Sequence, residues 1–457
     1  MPQRPILTMV IPGVSAALLA LAALVAPHPA IATSAAELRA SPIVTGDIKT
    51  GIEQHIAEQV AAGDGFFTVE FESQELRLKL VRVHVEYLAS LGPQRHFACV
   101  DMVSDDSEFY DVDFFLEGER GAMVVTETTI HKLNGRPYYL WEQDGEQHWV
   151  RVPVDGAADE LLGVLIGTDR FEFRYQATLP AFDGDARCWI PLAASDRFQT
   201  VTIRSIDAPG EQTVLTDRAH GNQVLFIELS AADSGRSLEI VYDVTRHEKS
   251  AYADDPVAAR RYLQPERLVP DDAVIRATAE AVVAEHDDDL MRARALYDHV
   301  MDEMSYKKYG EGWGQGNAVF ACNVLHGNCT DYHSYFIGLA RAVGIPARFA
   351  IGAAIPSERR DGGTDGYHCW AEFYADGRWW PVDISEADKF SALSMYFFGH
   401  HPANRFELSQ GRDLEVEPSP ASGPINFLAY PLLEVEGQPR PVQTLFLFYR
   451  HGNGQES

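Results

Sequence analysis

The spacing of hydrophobic positions along the chain changes from the period of a helix to that of strands and back again. Ile48, Ile52, Ile56 and Val60 recur every fourth residue, which predicts an amphipathic helix that ends at the segment AAGDG. Beyond it, segments such as FFTVEFES, ELRLKLVRVHVEY and EFYDVDFFLEG alternate with a period of two, which predicts antiparallel strands. A helix beside such a sheet indicates a small α+β domain over 41–160.

A second series of alternating segments follows and has no helical pattern within it. Turns rich in Gly, Pro and Asp separate the segments FEFRYQATL, QTVTIRSI, QVLFIEL and SLEIVYDV. Short strands at this spacing are typical of a β-sandwich, which we predict over 165–250. The polar, proline-marked segment SAYADDPVAARRYLQPERLVPDD that comes next is predicted to be a linker.

After Pro270 the helical period returns. DDAVIRATAEAVVAEH and DDLMRARALYDHVMDEM have apolar stripes at every third or fourth position. A glycine-rich loop, YGEGWGQGN, leads to another helix, and RFAIGAAI, YHCWAEFYA and RWWPVDIS then read as strands. We therefore predict a further α+β domain over 255–395 and a β-rich C-terminal extension over 396–457.

The N-terminal segment indicates the compartment in which the protein acts. Arg4 precedes the apolar run ILTMVIPGVSAALLALAALVA, and small residues follow at Ala30 and Ala32, so 1–35 reads as a signal peptide, with an uncleaved anchor as the alternative. We expect a periplasmic or secreted protein with no stable membrane span after cleavage.

The chain of 457 residues has 38 basic and 67 acidic side chains, a formal charge of −29. Such a charge disfavours nucleic acid and anionic lipid as partners.

Five cysteines are the next candidates for chemistry. Export would place them in an oxidising compartment, where cysteines tend to pair, and an odd number leaves at least one unpaired. Two pairings are considered, Cys322 with Cys369 and Cys99 with Cys188. The fifth, Cys329, opens the predicted helix of GNCTDYHSYFIGLARAVGIPAR, where the helix dipole favours a thiolate. The alternative is a small, buried, unreactive cysteine.

A nucleophilic cysteine requires a base, and His368 is the candidate. It begins HCWAEFYADGRWWPVDIS, two alternating segments joined by a turn at ADG. If these segments pair as a hairpin, Asp383 lies within about two positions of His368 across the ladder. A carboxylate there would fix the imidazole tautomer and stabilise the imidazolium. His333, one helical turn after Cys329, is a rival base without an obvious carboxylate partner.

These same segments resemble the core of the transglutaminase-like superfamily, over roughly 270–390. The shared features are a cysteine that opens a helix, a GIPAR exit into a strand, a His-x-Trp strand at His368 and Trp370, and a Trp-x-x-Asp strand at Trp380 and Asp383. FEFRYQATLPAFDGDARCWIPLAASDRFQTV is similar to the β-domain that often precedes the core in bacterial members. The fold class expected is α+β, with a papain-like transglutaminase core preceded by an α+β domain and a β-sandwich domain.

The resemblance also implies roles for individual residues. Cys329 would be the nucleophile, His368 the general base and Asp383 the residue that orients it. Thiolate attack on a peptide or glutamine carboxamide would give a thioester, which water hydrolyses or an amine converts into a cross-link. We expect a protein or peptide substrate and favour hydrolysis, since nothing in the sequence excludes water. The alternative is a catalytically inert module that binds envelope proteins.

Other residues near the motif are candidates for the oxyanion site and the cleft. Trp313 and Gln315 of the glycine-rich loop, together with the backbone N–H of Cys329, are candidate oxyanion donors, and Trp370 is a candidate cleft residue. His326, Cys329 and His333 could share one helical face, but the spacing to Cys322 matches no common zinc motif. We therefore predict no metal and no cofactor.

The acidic segment DMVSDDSEFYDVD contains several aspartates but does not have the spacing of a calcium-binding loop. It lacks the glycine and the terminal glutamate of such loops and is predicted to be a solvated turn.

Overall fold

The computed structural model describes residues 43–85, 89–92, 95–143, 149–154 and 163–450. The predicted signal peptide, 1–35, lies outside these residues. Within them, no helix is both long enough and apolar enough to cross a membrane.

The first region pairs one helix with an antiparallel sheet, as predicted. Helix α1 spans Thr45–Ala62, and its four-residue repeat buries Ile48, Ile52 and Ile56 against the sheet. The Asp47 carboxylate accepts the N–H of Val44 at 2.9 Å, which caps the helix. The strands are β1 Phe67–Phe71, β2 Gln74–Val83, β3 Ala89–Gly92, β4 Arg95–Ser104, β5 Phe109–Glu119, β6 Ala122–Leu133, β7 Arg136–Pro137, β8 Tyr139–Gln143 and β9 Trp149–Pro153.

The sheet of this first region has two different faces. Its order is β1-β2-β4-β5-β6-β7, with β3 paired to β4, while β8 and β9 form a separate hairpin. One face packs on α1, and Val103 and Phe109 on the other face join the hydrophobic core of the region that follows residue 270. The segment DMVSDDSEFYDVD is not simply a solvated turn: its ends belong to β4 and β5, and Asp101, Asp111 and Asp113 are buried.

The middle region supplies most of a two-sheet sandwich. Phe173 and Tyr242 from one sheet and Cys188 and Ile227 from the other pack into one hydrophobic core. The period-two spacing places these side chains on the inner faces of the strands. The strands are β10 Thr168–Thr178, β11 Ala186–Leu192, β12 Gln199–Asp207, β13 Glu211–Thr216, β14 Gln223–Leu229 and β15 Ser237–His247.

The region after the sandwich combines helices with one central sheet. Its helices are α2 Pro256–Ala259, α3 Ala273–Val282, α4 Asp289–Glu303, α5 Ala318–Val324, α6 Cys329–Ala342 and α7 Ile384–Lys389. Its strands are β16 Lys249–Ser250, β17 Tyr252–Ala253, β18 Ser305–Tyr306, β19 His326–Gly327, β20 Ala347–Ala354, β21 Asp361–Gly363, β22 His368–Ala375, β23 Arg378–Val382, β24 His400–His401 and β25 Arg405–Gln410. The central sheet has the order β17-β23-β22-β20-β25, and α6 packs against it with twelve consecutive buried residues, 329–340.

The C-terminal strands do not form a unit of their own. They are β26 Leu432–Val435, β27 Gln438–Arg440 and β28 Gln443–Tyr449. The sandwich sheets have the orders β12-β15-β10-β28-β21 and β13-β14-β11-β26-β27, so strands beyond 396 complete both sheets, and β25 completes the central sheet. The predicted linker also contributes, because β17 pairs with β23. The α+β fold class is confirmed, while the predicted domain limits stay predictions.

Candidate active site

Cys329 is the first residue of α6, as the sequence predicts. The preceding Asn328 caps the helix, since its side-chain oxygen accepts the N–H of Thr330 at 3.0 Å. Asp331 completes the cap by accepting the N–H of Asn328 at 3.0 Å. The sulfur therefore lies at the positive end of a 14-residue helix, and the residue is only 2% exposed.

The predicted hairpin carries the other two residues. Strand β22 pairs with β23 through a two-residue turn, and Asp376 and Gly377 both have positive φ, +52° and +76°. This is the geometry that matches the twist of the flanking strands. The strand ends at Val382, earlier than predicted, because Asp383 caps α7 by accepting the N–H of Glu386 at 3.2 Å.

His368 lies between the cysteine and the aspartate. Its Nε2 is 2.6 Å from Oδ2 of Asp383, and its side chain also hydrogen-bonds to that of Cys329. Since Nε2 is engaged by the carboxylate, Nδ1 is the nitrogen available to the sulfur. The structure thus brings together all three residues that the sequence names for catalysis.

Charges around the site fix its protonation. The hydrogen bond from Cys369 and the hydrogen bond and charge of His368 hold the pKa of Cys329 well below its ordinary value. Burial alone would lower the pKa of His368, but the Asp383 carboxylate and the sulfur raise it to about 10. Burial favours the neutral acid at Asp383, yet His368 and Arg405 hold its pKa well below its usual range. All three shifts favour the charged forms, a thiolate at Cys329, an imidazolium at His368 and a carboxylate at Asp383.

Both disulfide pairings considered from the sequence are wrong. All five cysteines are free, and none of the described residues forms a disulfide. Cys369 instead hydrogen-bonds to Cys329, because α6 packs across β22, whereas Cys322 lies on α5. Cys99 belongs to the first sheet, and Cys188 is buried inside the sandwich.

His333, the rival base, is engaged elsewhere. Its Nδ1 lies 2.8 Å from the carbonyl oxygen of Cys329, and its Nε2 accepts the N–H of Ile384 at 3.1 Å. A carbonyl can only accept, so Nδ1 carries the proton and the lone pair of Nε2 is already used. Burial also lowers the pKa of His333. This histidine therefore joins the start of α6 to the start of α7 and has no free lone pair for the thiol.

The glycine-rich loop is anchored to the start of α6. Asp331 accepts the N–H of Gly314 at 2.7 Å and that of Gly316 at 3.1 Å. Trp313 is partly buried within this loop, and Gln315 is exposed with its carbonyl accepting from Arg412 and Asn426. The candidate oxyanion residues are thus carried by a loop fixed beside the cysteine, and their role stays a prediction.

Trp370, the candidate cleft residue, lies behind the histidine. It is fully buried, and its ring centroid lies 6.2 Å from that of His368 and 4.3 Å from that of His401. In this position it supports the imidazole from inside the domain and has no exposed surface for a substrate.

Sequence reasoning did not find two tyrosines at the site. The hydroxyl of Tyr367 accepts from the side-chain amide of Asn328 at 2.9 Å and lies 3.1 Å from Oγ1 of Thr330. Tyr306, on β18, hydrogen-bonds to the backbone of Cys329. Tyr367 directly precedes the histidine of the GYHCW motif, which was a usable signal, whereas Tyr306 has no sequence feature that marks it.

The part of the chain that carries this site matches a known family. Residues 276–384 match the family model described as the transglutaminase-like superfamily. An uncharacterised protein of Haemophilus influenzae is 25% identical over 319 residues, which are 59% of this chain and 86% of that protein.

Two solved structures are also similar to parts of the chain. A candidate cysteine protease of Cytophaga hutchinsonii is 15% identical with a TM-score of 0.42, and the alignment covers 61% of this chain and 90% of that one. The periplasmic domain of TgpA from Pseudomonas aeruginosa, bound to ethylmercury, is 16% identical with a TM-score of 0.27, over 50% and 93% of the two chains. At these TM-scores neither alignment by itself establishes a shared fold. The family match at 276–384 shows that this chain carries a domain of the transglutaminase-like superfamily.

Proposed function

We propose that the chain is an exported, cysteine-dependent enzyme that attacks peptide or glutamine carboxamides through a thioester on Cys329. The observation that carries the proposal is the hydrogen-bonded series of Cys329, His368 and Asp383 at the start of α6. This series provides a nucleophile that is already deprotonated and an acid that is already protonated. Neither condition is met by an ordinary buried cysteine, whose pKa burial would raise.

The protonation of the site defines the order of the steps. The Cys329 thiolate attacks the carbonyl carbon, and the carbonyl electron pair moves to oxygen to give a tetrahedral intermediate. The His368 imidazolium then gives its proton to the leaving nitrogen as the C–N bond breaks, which leaves a thioester and a neutral imidazole. Asp383 stays ionised and keeps the ring oriented. The neutral His368 next removes a proton from water or from an amine, which attacks the thioester and restores the thiolate.

The acyl acceptor decides between two outcomes. Water gives hydrolysis, which we favour, and a primary amine gives a cross-link. Trp313 and Gln315 are proposed as oxyanion donors because Asp331 fixes their loop to the helix that carries the nucleophile. The substrate we propose is a protein or peptide outside the cytoplasm, in line with the signal peptide that the sequence predicts.

The first test is the rate at which Cys329 reacts with iodoacetamide between pH 4 and 10, followed peptide by peptide with mass spectrometry. Cys322 is an internal control, because burial raises its thiol pKa and it lies on α5 without the histidine. We expect Cys329 to react rapidly at pH 6, where Cys322 is slow. His368→Ala should abolish that difference, and His286→Ala, a partly buried histidine outside the site, should preserve it.

The second test identifies the reaction. A glutamine peptide is incubated with the protein, with and without a primary amine, and the ammonia released and the peptide masses are measured. A thioester trapped on Cys329 by acid quenching, with deamidated or cleaved peptide as product, would support hydrolysis, and an amine adduct would support cross-linking. If Cys329 reacts only above pH 8 in both the native chain and His368→Ala, the enzyme proposal fails and the inert binding module becomes the better explanation.

A further inference from the structure

A group of four side chains that could bind a metal ion, all of them buried or partly buried, lies in the first region, outside the transglutaminase-like domain. Cys99 on β4, Asp111 and Asp113 on β5, and His131 on β6 each place one potential donor atom within 4.8 Å of the others. None of these residues takes part in the proposed reaction.

The strand register explains why the four side chains meet. Cys99 lies directly opposite Asp113, and Asp111 is two residues earlier on the same face of β5. Asp111 pairs with Lys132 of β6, and the next residue, Val112, pairs with Ile130. One residue of β6, His131, therefore has no opposite residue on β5 and forms a β-bulge. Bulges of this kind redirect a side chain, and here the imidazole is directed toward the carboxylates.

The distances suit one small cation. Oδ1 of Asp113 lies 3.2 Å from Sγ of Cys99 and 3.5 Å from Nδ1 of His131. Bonds of about 2.0–2.3 Å at a tetrahedral zinc ion place neighbouring donor atoms roughly 3.3–3.5 Å apart. The two separations, 3.2 and 3.5 Å, are therefore close to the edges of a zinc coordination tetrahedron.

Two of the donor atoms are buried and have no hydrogen-bond partner among the described residues. Asp111 and His131 are 6% and 9% exposed, yet Oδ1 of Asp111 and Nδ1 of His131 have no hydrogen-bond partner in the described part of the chain. The other oxygen of each carboxylate is held from outside the group. Tyr139 donates its hydroxyl to Oδ2 of Asp113, and the Lys132 ammonium lies 3.2 Å from Oδ2 of Asp111. This is how outer groups usually orient carboxylate ligands toward a metal.

We propose that Cys99, Asp111, Asp113 and His131 bind one divalent transition-metal ion, zinc above all. One sulfur, one nitrogen and two carboxylate oxygens make a four-coordinate set that suits zinc and is too soft for calcium or magnesium. On binding, the S–H bond of Cys99 breaks, the proton leaves to solvent, and a sulfur–metal bond replaces the hydrogen bond to Asp113. The thiolate, two carboxylates, the dication and the adjacent Lys132 ammonium then sum to zero charge, as a buried site requires.

The ion would join three neighbouring strands on the face that meets the transglutaminase-like domain. On the same face Asp101 lies opposite Asp111 and pairs with Arg294 of α4. Val103 and Phe109 extend that contact into the hydrophobic core of the domain. The site is therefore expected to be structural and to stabilise this face of the sheet.

The test measures metal binding to the full chain without reference to catalysis. The protein is treated with a chelator, dialysed and titrated with Zn²⁺ and with Co²⁺, whose absorption reports thiolate coordination and a four-coordinate geometry. We expect one equivalent per chain and a higher unfolding temperature with the metal. Cys99→Ser should remove the thiolate–cobalt band and weaken binding by about 100-fold or more, since even the loss of an outer-shell partner costs 10–100-fold. Cys329→Ser is the control and should leave both the thiolate–cobalt band and the metal affinity unchanged.

Protection from alkylation keeps the test decisive if a variant fails to fold. In the native chain, Zn²⁺ should slow the alkylation of Cys99 and leave that of Cys322 unchanged. No bound metal, or a cobalt band that survives in Cys99→Ser and disappears in Cys329→Ser, would overturn the proposal. In the first case the group is only a hydrogen-bonded network, and in the second the metal binds at the active site.

Discussion

Cys329 and Cys99 both lie in clusters of cysteine, histidine and aspartate, and the two clusters give their thiols opposite protonation. At Cys329 the hydrogen bond from Cys369, together with the histidine that stands between the sulfur and the carboxylate, lowers the thiol pKa. At Cys99 a carboxylate touches the sulfur directly, and burial, Asp111 and Asp113 together raise the thiol pKa. The order of the groups in space decides the chemistry, because the sign of the nearest charge decides which form of the thiol is stable.

The largest effect is expected when the orienting carboxylate is removed. Asp383→Asn keeps a good helix cap for α7 but removes the charge that raises the pKa of His368. We expect the rate of thioester formation to fall by about 10³–10⁴-fold, as when the aspartate of a serine-protease triad is replaced. Single-turnover kinetics with a peptide substrate measures this loss.

Asp388→Asn is the matched control for this variant. Asp388 lies on the same helix and accepts a hydrogen bond from Tyr332 at 2.8 Å. It does not contact His368 in the described part of the chain, so the rate of thioester formation in Asp388→Asn should not change. An unchanged rate in Asp383→Asn would mean that the carboxylate does not orient the base.

The comparison of the two cysteines gives the next largest effect. Cys99 is partly buried, whereas Cys329 is only 2% exposed. Accessibility alone therefore predicts that Cys99 reacts faster. Charge predicts the reverse, because an ordinary thiol with a pKa of about 8.5 is roughly 0.3% thiolate at pH 6. We expect Cys329 to be alkylated about 100-fold faster or more at pH 6, measured by mass spectrometry on one sample. Faster reaction of Cys99 would show that access, not charge, controls both sites.

A smaller effect separates the two histidines of the active site. His333→Ala leaves the N–H of Ile384 without its acceptor and removes one of the donors to the carbonyl of Cys329, which should cost about 1–3 kcal/mol in the free energy of unfolding. Since the lone pair of His333 is not available to the sulfur, alkylation of Cys329 at pH 6 should stay rapid. Urea unfolding and the alkylation rate measure the two properties separately. Loss of reactivity with unchanged stability would make His333 the base.

The smallest effect is the change with pH of the acylation rate in the native chain. The pKa of His368 is raised from 6.5 to about 10, so the imidazolium is present below that pH and is lost as the pH rises through it. The rate of acylation should therefore be half of its plateau near pH 10 and fall about tenfold per further unit. The alkylation of Cys329, which needs no proton donor, should not fall with it. An acylation rate that already declines near pH 6.5 would mean that Asp383 does not raise the histidine pKa.

Local sequence patterns determined much of the active site. The helix at Cys329 follows from its apolar stripe and from the Asn328 cap, and the hairpin follows from alternation around the ADG turn. Together they were enough to name Cys329, His368 and Asp383, because both patterns depend on neighbours in the chain.

Pairings between distant segments were beyond the reach of those patterns. Strands after 396 complete both sandwich sheets and the central sheet, although their alternation resembles that of a separate extension. The contact of Cys369 with Cys329 and the engagement of both nitrogens of His333 depend on how α6 lies against β22 and α7.

The sequence by itself therefore determined the local elements and the three candidate catalytic residues that they carry, since helix periodicity, capping and turn chemistry act over a few residues. Only the tertiary structure decided which buried groups touch each other, including the meeting of Cys99, Asp111, Asp113 and His131 on three strands. The reason is that a pKa or a coordination set depends on distances of a few ångströms between groups, and strand register and helix packing set those distances.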